Sequence, residues 1–130
     1  MTGPDVLVID DEPVVREAVR HVLGAQGLEV ATADAGAAGL AHPAAATCRL
    51  VLCDLMLPDR SGLDVLAELV RRRPGLPVVL ITGYATLDHR ARARDAGAAD
   101  FLAKPFDAKE LLDTVRRALT CSGSTKEGNA

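Results

Sequence analysis

"VLVIDDEP", residues Val6 to Pro13, sets four apolar residues directly against three acids, Asp10, Asp11 and Glu12. A short unbroken apolar run that ends at once in polar residues reads as a strand buried on both faces. The acids after it repel one another. At about 4 Å, two like charges cost roughly 1 kcal/mol in bulk water and about 4 kcal/mol at the dielectric of a protein surface. Charge massed at the end of a buried strand needs a compensating partner, which the rest of the chain must supply or bind.

The strand pattern recurs in "LEVAT" (Leu28–Thr32), "LVLC" (Leu50–Cys53), "VVLI" (Val78–Ile81) and "DFLA" (Asp100–Ala103). Between these runs lie helical stripes. Val15, Val19, Val22 and Leu23 form one, Leu63, Leu66, Leu69 and Val70 a second, and Leu111, Leu112, Val115 and Leu119 a third. The stretch from Ala35 to about Ala46 is alanine-rich and weakly patterned. "ATLDHRARARDAG" is expected to be helical, with Leu87 and a row of alanines offered to the core. Gly27, Gly75 and Gly97 stand where helices should stop. Five repeats of strand then helix define an open, doubly wound, mostly parallel α/β sheet with right-handed crossovers. Residues 1–120 read as one domain, and the small, polar residues 121–130 as a disordered tail.

Composition narrows the function. The chain has 130 residues, 48% hydrophobic and 25% charged, which suits one globular domain with a core of its own. A net charge of −3 gives no basic face, so this chain itself is not expected to bind nucleic acid. No apolar run approaches the roughly 18 residues of a membrane span, so no membrane partner is expected. "MTGPD" lacks the basic n-region of a signal peptide. Cys48, Cys53 and Cys121 lack metal-ligand spacing. They read as free thiols in a reducing cytoplasm, the expected location.

In an open parallel sheet, ligands bind beyond the carboxyl ends of the strands. Asp10 and Asp11 follow strand one, Asp54 follows strand three, Thr82 follows strand four and Lys104 follows strand five. Each has a plain structural reading alone. Asp11 or Glu12 before Pro13 can cap a helix, Asp59 beside Pro58 can serve a turn, and Lys104 can be a solvated rim charge. Together they place acids, a hydroxyl and an ammonium at one edge. A divalent cation would resolve the repulsion among Asp10, Asp11 and Asp54. Magnesium, with manganese as a substitute, suits a few carboxylates, several waters and a phosphate. An aspartate can attack phosphorus to form an acyl phosphate. Lys104 and Thr82 would then serve the charge and oxygens of the transferred group.

The elements "VLVIDDEP", "VLCDLMLPDRSGLDVL", "VVLITGYA" and "AGAADFLAKPF" resemble the response-regulator receiver domains of two-component signalling. The likeness runs from about Asp5 to Leu119 and favours receivers of nitrogen-regulation and fixation-type transcriptional regulators. It implies a flavodoxin-like fold with strand order 2-1-3-4-5. It implies Asp54 as phosphoacceptor from a histidine kinase or phosphotransfer protein. Asp11, Asp54 and the backbone carbonyl of Met56 would hold magnesium, with Asp10 as a water-mediated ligand. Thr82 and Phe101 would act as the switch pair, and the Lys104–Pro105 bond is a candidate cis peptide. Met56 and Tyr84 would flank the path of the hydrolytic water and slow dephosphorylation.

The resemblance further implies a signalling domain rather than a turnover enzyme. Its output face would be helix four, strand five and helix five, for a homodimer formed on phosphorylation or for another partner. Two other readings use the same residue types. One is an aspartate-nucleophile phosphatase of the haloacid dehalogenase type. It would need a proton donor two residues after its nucleophile, where Met56 stands. The other is a receiver-like binding module that works without phosphorylation, which would have no use for the full acid, threonine and lysine set.

Overall fold

The computed structural model describes residues 3–83 and 86–128, with side chains through Thr120. The five apolar runs form β1 (Val6–Ile9), β2 (Val30–Ala33), β3 (Leu50–Asp54), β4 (Val78–Thr82) and β5 (Asp100–Ala103). They make one parallel sheet in the order β2-β1-β3-β4-β5. This is the flavodoxin-like order that the family resemblance implied. The three central strands β1, β3 and β4 are buried at every residue. The edge strands β2 and β5 are mostly half-buried.

Side chains alternate along each strand, so each strand feeds two cores. Leu7, Ile9, Val51, Cys53 and Leu80 pack against α2 (Gly36–Ala41), α3 (Gly62–Arg72) and α4 (Leu87–Asp95). Val6, Val8, Leu52, Val79 and Ile81 pack against α1 (Pro13–Gly24) and α5 (Ala108–Gly128). A fully buried Val, Leu or Ile contributes roughly 1.5–3 kcal/mol, so these runs supply most of the driving force. Gly39 allows α2 to lie directly on β1, because a Cβ there would collide with the side chain of Ile9.

Three local expectations are corrected. First, β2 begins at Val30 rather than Leu28, because the Leu28 amide closes the end of α1. It donates to the Leu23 carbonyl at 3.1 Å across Gly27, whose φ of +85° is open to glycine. Second, the alanine-rich segment divides. α2 stops at Ala41, His42 turns extended before Pro43, and residues Pro43–Ala46 form a 3₁₀ turn. Third, Leu87 does not face the core. It opens α4 just after the Thr86 cap and is 85% exposed, leaving Ala93 as the buried residue of that helix.

α5 continues through residue 120, the boundary expected from composition, to Gly128. The side chains of 121–130 lie outside the described residues. Among the described residues, no helix is long and apolar enough to cross a membrane.

Candidate functional site

β1, β3, β4 and β5 deliver four polar groups to one edge of the sheet. Asp10 follows β1 with its backbone N–H on the Ala33 carbonyl at 3.0 Å, and it is completely buried. Its Oδ1 accepts the Glu12 N–H at 2.8 Å, and its carbonyl accepts a hydrogen bond from Arg16 at 2.8 Å. Asp54 ends β3 and is also buried, with Oδ1 accepting the Met56 N–H at 3.0 Å. Thr82 ends β4, buried, and its carbonyl accepts the Lys104 N–H at 2.8 Å. Lys104 follows β5 and precedes a cis peptide bond to Pro105.

The Lys104 ammonium closes the cluster. Its Nζ lies 2.6 Å from Glu12 Oε1, 3.0 Å from Asp54 Oδ2 and 3.1 Å from Asp10 Oδ2. Burial alone would lower its pKa. Its hydrogen bonds to Glu12 and Asp54, with the ion pair to Asp10, outweigh that and hold it above the ordinary lysine value. Burial pushes the Asp10 carboxyl up, and the nearby Asp54 charge adds to this. The Glu12 amide and Lys104 pull the other way without cancelling it. Asp10 Oδ2 makes an ion pair with Lys104 but has no aligned hydrogen bond, and it is buried.

One lysine thus faces three carboxylates, and a buried acceptor is left over. Oxygen atoms of Asp10, Glu12 and Asp54 gather within 4.8 Å of one another. An all-oxygen donor set with excess negative charge and an unsatisfied buried oxygen fits a hard divalent cation. An open cavity of about 280 Å³ lies over the cluster, lined by Asp11, Glu12, Asp54, Met56, Thr82 and Lys104.

The residues expected at the strand ends therefore meet, with one exchange. Asp11 lines the cavity and is exposed, but its carboxylate stands outside the gathered group, and Glu12 takes that place. Glu12 occupies the N-cap position of α1 without a capping hydrogen bond, since its carboxylate reaches Lys104 instead. No local spacing reveals this contact, because Glu12 and Lys104 are 92 positions apart. Met56 is 59% exposed at the cavity rim. Phe101 lies apart, half-buried against the core under α4, with the Arg90 guanidinium 5.2 Å from its ring centroid. Tyr84 is outside the described residues.

Residues 6–116 match the family described as response regulator receiver domain. The chain belongs to that family, the receiver domains of two-component response regulators. It is 40% identical over 120 residues to "Probable transcriptional regulatory protein TcrX" of Mycobacterium tuberculosis, covering 92% of this chain and 51% of that protein. It is 41% identical over 118 residues to "C4-dicarboxylate transport transcriptional regulatory protein DctD" of Pseudomonas aeruginosa, covering 88% of this chain and 25% of that protein. The chain spans between a quarter and a half of these curated relatives. A solved receiver domain protein (CheY-like) from Methanospirillum hungatei superposes with a TM-score of 0.86 at 28% identity, over 95% of this chain and 99% of that one. NtrX from Brucella abortus gives 0.89 at 35% identity, over 98% of this chain and 29% of that one. The phosphatase reading is not supported. Met56 stands where that mechanism needs an acid, and a thioether has no proton to give.

The loop after Asp54 is closed by Gly62, the first residue of α3. Its N–H donates to the Leu55 carbonyl at 2.7 Å, and Met56 bridges Ser61. A Cβ on Gly62 would strike the Asp54 carbonyl oxygen and come within 2.7 Å of the Leu55 Cα. Backbone cannot step aside as a flexible side chain can. Gly62→Ala is therefore expected to destabilise the domain by about 1–3 kcal/mol, the usual range for overpacking. Gly75→Ala, with nothing within 4 Å of the new methyl, should fall within about 0.5 kcal/mol of the parent. Urea denaturation of the two variants checks this, and equal midpoints would refute it.

Proposed function

We propose that Asp54 accepts a phosphoryl group from the phosphohistidine of a histidine kinase or phosphotransfer protein. The observation that carries this is the Asp54 carboxylate itself. It is buried at a strand end, held by the Met56 N–H and the Lys104 ammonium, and open to a cavity. An Asp54 oxygen attacks phosphorus, the new O–P bond forms as the P–N bond breaks, and the imidazole leaves with the electron pair. Lys104 would balance charge on the transferred group, and Thr82, which lines the cavity, would donate its hydroxyl to a phosphoryl oxygen. A bound Mg²⁺ (or Mn²⁺) would add charge neutralisation here, held by Asp54 and the Met56 carbonyl, with Asp10 behind and with Asp11, which lines the same cavity, turning its carboxylate in to join them. The domain acts as a signalling element of the cytoplasm and not as a turnover enzyme.

The readout we assign to α4 and β5. α4 buries little beyond Ala93, and Arg92 and Arg94 leave it mostly exposed and charged. Burial of an alanine supplies much less than burial of a Leu or Val, so α4 belongs to the less stable units of the domain. Arg90 over Phe101 links it to β5. Phosphorylation would shift a pre-existing equilibrium of this pair and so expose a surface for a homodimer or an output partner.

Three outcomes are expected. With magnesium and acetyl phosphate, mass spectrometry should find one phosphoryl group on the parent and none on Asp54→Asn. Label that survives the substitution would refute the assignment. Second, Met56 cannot orient water as an amide can, so Met56→Asn should shorten the lifetime of the acyl phosphate. A lifetime equal to or longer than the parent's would remove Met56 from that role. Third, hydrogen exchange with and without beryllofluoride should change most, outside the site, in residues 83–97 and near Phe101. A change confined to α1 or α3 would place the readout elsewhere.

A further inference from the structure

α2 is a poor helix on its own. It is six residues of glycine, alanine and one leucine, and its N-cap residue Ala35 offers no side-chain hydrogen bond. So short a helix does not hold itself together in water. The missing partners come from the α3 region. The carboxylate of Asp59 receives two donors of the first turn, the Gly36 N–H on Oδ1 and the Ala37 N–H on Oδ2, each at 2.8 Å. At the other end, Arg72 donates to the Leu40 carbonyl at 2.8 Å.

The N-terminal clamp differs from the C-terminal one in where it is anchored. Arg72 sits on α3 itself, whereas Asp59 stands in the loop 55–61 that leads from Asp54 into α3. That loop is closed at its base by the Met56–Ser61 bridge and the Gly62–Leu55 hydrogen bond. Its far end is fastened to α2 by Asp59 and by Arg60, whose aliphatic stem lies against Gly36. A Cβ on Gly36 would come within 2.7 Å of it. Met56, on the same loop, points its N–H at Asp54 Oδ1. The two α2 amides hold the Asp59 carboxyl below the ordinary aspartate range, with Arg60 assisting at 3.4 Å, so it is charged at neutral pH. A charged acceptor makes hydrogen bonds roughly twice as strong as a neutral one.

The geometry points to Asp59 as a positioning residue for the acceptor site: by clamping loop 55–61 to the first turn of α2, it fixes the Met56 backbone against Asp54. This rests on the proposed phosphoryl acceptance for its consequence but not for its geometry. Asp59 touches no reacting atom.

The test uses the full chain and two readouts. In metal-free protein, Asp59→Ala should speed amide exchange of Met56 about tenfold, a factor in keeping with the loss of charge-assisted hydrogen bonds. Asp59→Asn, whose carbonyl can still accept one of the two bonds, should restore part of the protection. Arg72→Ala should loosen the end of α2 and leave Met56 unchanged. The magnesium concentration that gives half-maximal phosphorylation by acetyl phosphate should rise in Asp59→Ala and stay constant in Arg72→Ala. If Met56 exchange is unaltered in both Asp59 variants, or moves equally in Arg72→Ala, Asp59 is a helix cap only and the inference is overturned. Failure of the parent to take phosphate on Asp54 would sink the proposed function alone, since the exchange readout needs neither metal nor phosphate.

Discussion

A single ammonium holds together the ends of strands that have every electrostatic reason to part. Asp10, Glu12 and Asp54 converge on Lys104 from β1, from the start of α1 and from β3, while Lys104 arrives from beyond the edge strand β5. Two carboxylates at about 4 Å cost about 4 kcal/mol at a surface dielectric, and Asp10 is completely buried. The cation must therefore be in place for these three carboxylates to stand together. Because Lys104 comes from beyond the edge strand β5 and Asp10 from β1, the site exists only when β1, β3, β4 and β5 stand side by side in order. Sheet order and site chemistry are one constraint here.

The sequence made most of this legible where the signal was local. Apolar runs such as Val6–Ile9 and Val78–Ile81, set between helical stripes, read as interior parallel strands, and each is followed by a polar residue, so the site followed from the strands. The errors arose where a distant contact decided the outcome. Glu12 reads as a helix cap because its neighbours are Asp11 and Pro13, yet its carboxylate belongs to Lys104, which no spacing reveals. Leu87 reads as core because it is the one large apolar residue of its helix, yet it opens the first turn just after the Thr86 cap and faces solvent. Asp59 does stand in a bend beside Pro58, as the sequence reads, but its further bonds to Gly36 and Ala37 span 23 and 22 positions, which no local pattern shows.

The two faces of the sheet are stabilised by different means. On one, α1 and α5 bury Val19, Leu23, Leu111 and Val115 completely or nearly so. On the other, α3 carries Val65, Leu66 and Leu69, but its neighbours α2 and α4 contribute chiefly small residues. What apolar burial does not supply there, polar contacts do: Asp59 and Arg72 on α2, Arg73 on the Ala45 carbonyl, Arg90 on Phe101. Directional contacts can be exchanged one for another with modest change in free energy. Interlocked side chains cannot, because any gap forfeits dispersion at once. On the proposed reading, the face bearing α2 and α4 is thus the one suited to two arrangements.

The same distinction orders events at the site. On the proposed reading, Asp54 gains a group that carries close to two negative charges near neutrality, and Lys104 must turn toward it. Three carboxylates hold that lysine, and they are not equivalent. Asp10 is completely buried and Asp54 is the reacting group, whereas the Glu12 side chain is 57% exposed. A carboxylate released into water regains its hydration, and an exposed ion pair contributes only about 0–1 kcal/mol. Releasing Asp10 instead would leave a buried charge uncompensated, at a cost of roughly 3–5 kcal/mol. Glu12 is therefore the partner that yields. The shortest contact of the resting cluster is also its least costly to break, which leaves Lys104 available to a phosphoryl group while Asp10 stays anchored beneath it.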